Sequence, residues 1–411
     1  MQDSRSSRYW PELDGLRGVA AAMMIANHVA VEGRSDSGLV DAFGLVGSFA
    51  PVLFFFLTGL GSGVQSTRAR RDDGLGFLVK VAILFAADSF LWAGPGRPIG
   101  MDFLGFIGLS MVLLRGLRRS PRGGVWAVLI FASFVVLRFA VGPAIRPRLP
   151  EAAWARVVGF LLGINALEGF SYPPCPWMAY PFLGYALGRL AALRRPWLED
   201  HRGRTALVFA GAAGLLAAST LVLVGRGAIF FRWGNMSLAY FTASLAAVGF
   251  CLALFVGLGG VKSIAAPIAL MSLGGVRSFA VVPLHYALRA AAFAVLGPVV
   301  GPGSYLVDAL AVLILSFAGS ALVPAGARAL GSATRSRPWL AWAPIGAATA
   351  AALVVLMAGR VAGPADLALR SASQLLLCLL LAWPARSPTS AVARRGAPDA
   401  GLILPTPSSP G

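Results

Sequence analysis

The sequence predicts an all-α, polytopic integral membrane protein with about 11–12 transmembrane helices and a cytoplasmic N-terminus. Of its 411 residues, 57% are hydrophobic and 13% are charged, whereas a soluble domain carries about 25% charged residues. The apolar residues fall into successive runs that are long enough to cross a bilayer, and arginines cluster between these runs.

Each span is predicted from an apolar run that ends at a charge cluster or at turn residues. The predicted spans cover residues 15–33, 45–66, 76–94, 102–116, 124–141, 174–192, 205–224, 237–259, 275–296, 304–327, 339–359 and 371–386. The segment 153–170 is apolar but short and polar at three positions, which leaves a re-entrant or interfacial helix open there.

The spans fill residues 1–386, which we expect to form a single transmembrane domain. Residues 387–411 are rich in Pro, Ser, Gly and Ala and are expected to form a disordered cytoplasmic tail. Arginines are more frequent in alternate loops, which places the N-terminus inside and predicts a multi-pass protein of the cell membrane. The same bias explains the net charge of +18 without a nucleic-acid partner.

Three scattered cysteines form neither a disulfide framework nor a CxxC pair, so the sequence predicts no metal site of that kind. The first span instead carries the chemistry. Asp14 precedes Arg17 by one helical turn, within reach of an ion pair. His28 follows Arg17 by eleven residues, on the same face and about 16 Å further along the axis.

Ionisable groups are costly in lipid and often mark functional sites. His285 lies in the ninth predicted span, which runs in the same direction as the first, so His28 and His285 are expected at comparable depth. Interhelical hydrogen bonding alone would also explain both histidines. Asp102, at the start of a span, is expected to be an exposed helix-start residue.

The segment from Leu13 to His28 resembles the opening signature of the acyltransferase-3 family, in which an arginine precedes a histidine within the first span. The segment from Ser48 to Gly59 is similar to that family's second span. The stretch around Trp177 and the pairs Asn27-His28 and Arg277-Ser278 resemble the heparan-alpha-glucosaminide N-acetyltransferase branch of the same transmembrane acyltransferase superfamily.

This resemblance implies transfer of an acyl group, expected to be acetyl, from acyl-CoA to a hydroxyl or amine on a sugar, glycan or small metabolite. Histidine suits the removal of the acceptor's proton near neutral pH, which makes His28 the expected general base. An acyl-histidine intermediate is an open alternative to direct transfer. Neither the acceptor nor the oligomeric state follows from the sequence.

The remaining site residues are expected from the charge pattern and the resemblance. Arg17 and Asp14 are grouped with His28 as the catalytic set. Arg68, Arg70, Arg71 and Arg277 are predicted to bind the phosphates of the donor, and Arg115, Arg118, Arg119 and Arg122 are an alternative set. Asn27, His285, Ser278 and Trp177 are predicted to contact the acceptor.

Two other functions are compatible with many spans and intramembrane charges. A transporter or flippase is the main alternative, although the chain shows no convincing internal repeat of the kind that many transporters have. A membrane scaffold or sensor is the other, and it gives no reason for two histidines in the membrane. We therefore expect Arg17, His28 and His285 to line one passage for acyl transfer.

Overall fold

The structure is a computed structural model that describes residues 11–32, 37–67, 74–92, 100–230, 235–259, 268–272, 278–336 and 364–382. Within these ranges the chain is almost entirely helical, and its only β pairing consists of two isolated bridges at Phe170. The predicted all-α membrane fold is therefore confirmed. The predicted span 339–359 and the tail 387–411 lie outside the described residues.

Sixteen α-helices are numbered here in chain order. They are α1 (Pro11–Glu32), α2 (Gly38–Gly47), α3 (Ala50–Ser66), α4 (Gly74–Trp92), α5 (Phe103–Arg118), α6 (Gly123–Val136), α7 (Gly142–Ile145), α8 (Ala153–Leu161), α9 (Pro174–Trp177), α10 (Ala179–Leu193), α11 (Arg195–Asp200), α12 (Arg202–Gly225), α13 (Leu238–Leu258), α14 (Ser278–Leu296), α15 (Pro302–Ser336) and α16 (Pro364–Ala382).

Six stretches among the described helices are long and apolar enough to cross a membrane by length and composition. They are Gly38–Ser66, Gly123–Arg148, Arg202–Gly225, Leu238–Leu258, Ser278–Leu296 and Pro302–Val323. Helix α1 is also long enough, because 22 residues at about 1.5 Å each span about 33 Å. The total of about 11–12 spans stays a prediction.

Two predicted elements differ from their expected form. The second predicted span is divided into α2 and α3, and Pro51 occupies the first turn of α3, where a missing N–H is tolerated. The segment 153–170 forms only the short helix α8 and then a loop. That loop folds back onto the start of α5, where Met101 donates from its backbone N–H to the carbonyl oxygen of Gly169 at 2.8 Å.

Helix α3 lies at the centre of the bundle and packs most closely against α10. Glycines make this approach possible, since a Cβ at Gly59 would overlap the backbone carbonyl of Pro181. A Cβ at Gly184, on α10, would likewise overlap the carbonyl of Phe56. Small residues that let two backbones meet are typical of helix packing in membranes.

The outer helices expose apolar side chains instead of burying them. Only 11% of the apolar window of α12 and 6% of that of Gly123–Arg148 are buried within the protein, against 67% for Gly38–Ser66. Leu207 and Leu215 on α12 are 73% and 74% exposed. Contiguous apolar surface of this kind is expected where a helix faces lipid.

A second group of helices surrounds the end of α1. Helix α14 packs against α15 and α16, and α16 packs against α4, which in turn packs against α5. Helix α1 contacts α3, α14 and α15. The C-terminal half of α1 is therefore enclosed by helices that are distant in the sequence.

Candidate functional site

Two histidines from distant parts of the chain meet inside the bundle. Nδ1 of His28, on α1, lies 2.8 Å from Nε2 of His285, on α14. The two rings are stacked with their centroids 5.1 Å apart. His285 is completely buried, whereas His28 is partly accessible. The two side chains thus lie at one depth, as the order of the spans predicts.

The hydrogen bonds around the pair define its proton positions. Nδ1 of His285 lies 3.2 Å from the carbonyl oxygen of Val281, which only accepts, so this nitrogen carries the proton. In the neutral ring Nε2 of His285 is then an acceptor, and Nδ1 of His28 must donate to it. The lone pair of neutral His28 is consequently on Nε2, the nitrogen that is left for a substrate.

Two further residues of α14 hold this pair in place. The ring of Tyr286 lies 4.2 Å from that of His285 and 5.0 Å from that of His28, measured between centroids. Arg289 donates from Nη1 to the backbone carbonyl of His28 at 3.4 Å. These contacts fix α14 against α1 at the histidines.

His28 lines a small cavity of about 40 Å³, which we call the histidine cavity. Side chains with polar atoms form much of its wall. They are Asn27, His28, Asp88, Asp102, Tyr172, Tyr286 and Gln374.

The loop that follows α8 brings Tyr172 to this cavity. Met101 accepts a hydrogen bond from the N–H of Ser171 at 3.2 Å, which seats the loop on the start of α5. Burial, and next the nearby charge of Asp102, raise the pKa of the Tyr172 hydroxyl well above its usual range. The hydroxyl therefore keeps its proton at neutral pH.

The two carboxylates of the histidine cavity lie at the start of α5. Asp88, on α4, is 1% exposed and accepts from the backbone N–H groups of Asp102 and, at 3.0 Å, Gly105. Asp88 thereby satisfies donors that the start of a helix leaves without partners. Asp102 lies at the start of α5, as predicted, but it is half-buried and lines the cavity, so the predicted exposure is wrong. The loop packed over this helix start covers a position that would otherwise face solvent.

A second cavity, the arginine cavity, has a volume of about 220 Å³ and lies beside the N-terminal half of α1. Arg17 and Arg118 both line it. Arg17 pairs with Asp14 at 2.6 Å, as the one-turn spacing predicts. Arg118 donates from Nη2 to Oε1 of Gln65 at 3.0 Å.

The two cavities share two wall residues, Phe103 and Val282. The ring of Phe103 packs edge-on against that of Phe54, which lines the arginine cavity, at 5.1 Å between centroids. Arg17 and His28 therefore lie in neighbouring cavities. That one passage is lined by both residues stays a prediction.

The other predicted site residues are distributed as follows. Ser278 lines the arginine cavity, whereas Asn27 lines the histidine cavity and donates from Nδ2 to the carbonyl of Gly44 at 2.7 Å. Trp177 is fully buried and lines neither cavity; its indole packs against Tyr172, 4.8 Å between centroids. A contact of Trp177 with the acceptor thus stays a prediction without support from this geometry.

The arginines that are predicted to bind the donor phosphates lie outside the described residues. They are Arg68, Arg70, Arg71 and Arg277.

Several wall residues were not predicted as site residues. Tyr172 and Gln374 carried no motif, and their position depends on a loop and on the last described helix. Asp88 had one usable signal, a carboxylate inside an apolar run. Among the residues that the structure describes, no three His, Cys, Asp or Glu side chains form a group that could hold a metal ion.

The helical spans, the paired histidines and the two neighbouring cavities define the class of this protein. It is an integral membrane protein with a buried polar site. The family model of the heparan-alpha-glucosaminide N-acetyltransferase catalytic domain matches residues 8–231. This is more than half of the 411 residues, and the chain belongs to that family, which is one of transferases. No curated protein matches it. His28 lies within the matched segment and His285 beyond it.

Proposed function

We propose that this protein is a multi-pass acetyltransferase of the cell membrane. It moves an acetyl group from acetyl-CoA to an amine or hydroxyl of a sugar, a glycan or a small metabolite. The observation that carries the proposal is the His28–His285 pair, whose hydrogen bonds leave the lone pair of His28 on Nε2, in a residue that lines the histidine cavity. Membership of the acetyltransferase family supports the reaction type.

The arginine cavity is the proposed donor site. It is the larger of the two described cavities, and its two guanidinium groups, on Arg17 and Arg118, suit the phosphates of coenzyme A. It lies at the end of α1 that is predicted to be cytoplasmic, where acetyl-CoA is available. This assignment adds Arg118 to Arg17, whereas a donor role of Arg68, Arg70, Arg71 and Arg277 stays a prediction.

The histidine cavity is the proposed acceptor site. The acceptor's amine or hydroxyl hydrogen-bonds to Nε2 of His28, which removes its proton as the nitrogen or oxygen attacks the thioester carbonyl. The C–S bond breaks, and the proton on His28 passes to the departing coenzyme A thiolate. His285 accepts from Nδ1–H of His28 throughout and so acts as a positioning residue.

We expect the thioester to reach His28 past Phe103 and Val282, because these two residues line both cavities. A narrow thiol arm that carries a small acyl group is suited to such a passage, and this favours acetyl over longer acyl groups. In the alternative route Nε2 of His28 attacks the thioester itself and the acceptor then cleaves an acetyl-imidazole. Both routes begin at the same nitrogen.

A transporter is the second candidate, because two cavities on either side of an apolar division also occur where a substrate crosses a membrane in steps. The two functions differ in what happens to acetyl-CoA. The test incubates the purified full-length protein with labelled acetyl-CoA and a panel of amino sugars, glycans and small alcohols. Acceptor-dependent release of free coenzyme A with label on the acceptor supports the enzyme. Uptake of a substrate into proteoliposomes without coenzyme A release would instead identify a transporter.

A further inference from the structure

Gln374, in the middle of α16, has one half of its amide group engaged, and its other half has no partner among the residues that the structure describes. Nε2 donates to the backbone carbonyl of Ala87, on α4, at 2.9 Å. Oε1 is buried and accepts no hydrogen bond from the described part of the chain. The reverse orientation of the amide would bring two acceptor oxygens together, so the contact with Ala87 determines which atom is left over.

The position of this side chain indicates which kind of group the unpaired oxygen can bind. Gln374 is 0% exposed and lines the histidine cavity, in which His28 is also found. Asp88 and Asp102 belong to the same wall. Buried polar atoms in folded proteins nearly always have partners, and an exception calls for an explanation such as a functional role or a bound water. Three acceptor groups on one wall suit a ligand that brings several N–H or O–H donors.

Anchoring of α16 explains only part of this arrangement. The bond from Nε2 to Ala87 does fasten α16 to α4, but Arg370 fastens the same two helices by donating to the carbonyl of Leu91 at 3.3 Å. An apolar residue at position 374 would pack without leaving a buried oxygen that lacks a donor. Anchoring therefore gives no role to Oε1.

We propose that Gln374 binds the acyl acceptor, with Oε1 accepting a hydrogen bond from a hydroxyl or amine other than the one that is acetylated. Asp88 and Asp102 complete a subsite for a ligand with several adjacent donors, such as an aminohexose. The inference rests on the proposed function, since it concerns the acceptor of that reaction. It also assigns a substrate contact to α16, which lies outside the segment matched by the family model.

The experiment compares the full-length protein with its Gln374→Met variant, which keeps the length of the side chain and removes the amide. D-glucosamine and its monodeoxy analogues are the probes. Binding is measured without donor, and the KM values for acceptor and for acetyl-CoA are measured in turnover. Ser373→Ala is the matched control. Ser373 precedes Gln374 in the sequence and is also buried, and among the described residues its hydroxyl hydrogen-bonds only to the carbonyl of Leu369 in its own helix.

We expect Gln374→Met to weaken glucosamine binding by about threefold to tenfold, the effect of one lost hydrogen bond. The KM for acetyl-CoA and the thermal unfolding midpoint should stay near those of Ser373→Ala. One monodeoxy analogue, which lacks the hydroxyl that Gln374 binds, should bind weakly to the wild type. The Gln374→Met variant should bind this analogue no more weakly than the wild type does. Comparing the two losses isolates the interaction between that hydroxyl and the amide.

Equal glucosamine affinity in the two proteins would overturn the inference, as would parallel changes in the acceptor and donor constants. If the variant does not fold, the wild-type deoxy series decides alone: the absence of any analogue that loses affinity overturns the subsite. If acetyl transfer occurs and does not depend on Gln374, this inference is refuted but the proposed acetyltransferase is not. Binding that depends on Gln374 without any coenzyme A release refutes the proposed acetyltransferase and leaves the subsite.

Discussion

The tautomer of His28 decides which atom of this site can act as a base. Nδ1 is directed to His285, and Val281 forces His285 to be an acceptor at Nε2. A histidine that made the same contact through Nε2 would carry its lone pair on Nδ1 instead. We therefore propose that His285 orients its neighbour, in the way that a buried acceptor orients the histidine of a catalytic triad.

Replacing His285 should accordingly lower the rate without abolishing acceptor binding. In His285→Ala the ring of His28 loses its acceptor and can rotate, so we expect kcat to fall by about tenfold or more. The Kd for glucosamine should change little. The measurement is kcat and acceptor affinity beside His201→Ala, a histidine stacked on Trp197 in the predicted inner loop. An unchanged kcat in His285→Ala would remove the positioning role.

Residue patterns predicted part of this site and not the rest. The spacing of Asp14, Arg17 and His28 along one helix was readable because α-helix geometry fixes it. His285 was suggested by the order of spans. Gln374 and Tyr172 were not predicted, since their places depend on how a loop and a distant helix pack, and no local period encodes such packing.

At the level of elements, α3 and α10 depend on glycine for their contact. A methyl group at position 59 would meet the backbone carbonyl of Pro181 and would force the two helices apart. Overpacking of this kind costs about 1–3 kcal/mol. The close approach matters for function because α3 supplies Phe54 and Thr58 to the arginine cavity.

Gly59→Ala should therefore lower the thermal unfolding midpoint, measured in detergent. Gly211→Ala is the matched control, because a Cβ at position 211 on α12 has open space around it. The control is expected to be neutral or slightly stabilising, since alanine favours helix over glycine. Equal midpoints for both variants would show that α3 and α10 are less closely packed than described.

Helix α14 also lines both cavities. Val282 lies on their shared wall, one turn before His285 and Tyr286. A larger side chain there should close the passage without touching the histidine pair. The prediction concerns the acetyl group's route and not the binding of either substrate.

Val282→Trp is expected to lose most of the transfer rate while acetyl-CoA and glucosamine still bind. Phe293→Trp serves as control, because Phe293 lies on the same helix and is 47% exposed. The measurement is kcat together with the two dissociation constants. A normal rate in Val282→Trp would mean that the donor reaches His28 by another way.

On the scale of the whole molecule, the two cavities lie at successive depths along α1. The N-terminal half of α1 contributes Arg17 to one cavity and its C-terminal half contributes His28 to the other. With the N-terminus inside, we expect the donor to enter from the cytoplasm and the acceptor from the opposite side. The orientation follows from arginine bias alone and stays a prediction.

Single cysteines test this orientation directly. Ser120→Cys lies in the loop between α5 and α6, which is predicted to be inside, and Ala228→Cys lies between α12 and α13, which is predicted to be outside. A membrane-impermeant maleimide added to intact cells should label position 228 and spare position 120 until the cells are opened. The unsubstituted chain controls for its native cysteines, of which Cys175 is buried. The reverse pattern would invert the proposed sides of donor and acceptor.

The central claim is that His28 removes the acceptor's proton during acetyl transfer. The most direct measurement is the initial rate of label transfer from acetyl-CoA to the best acceptor of the panel, in wild type, His28→Ala and His201→Ala at equal amounts of inserted protein. General-base catalysis predicts that His28→Ala loses about a hundredfold to ten-thousandfold in rate, and that His201→Ala keeps the wild-type rate. A wild-type rate in His28→Ala would contradict the account.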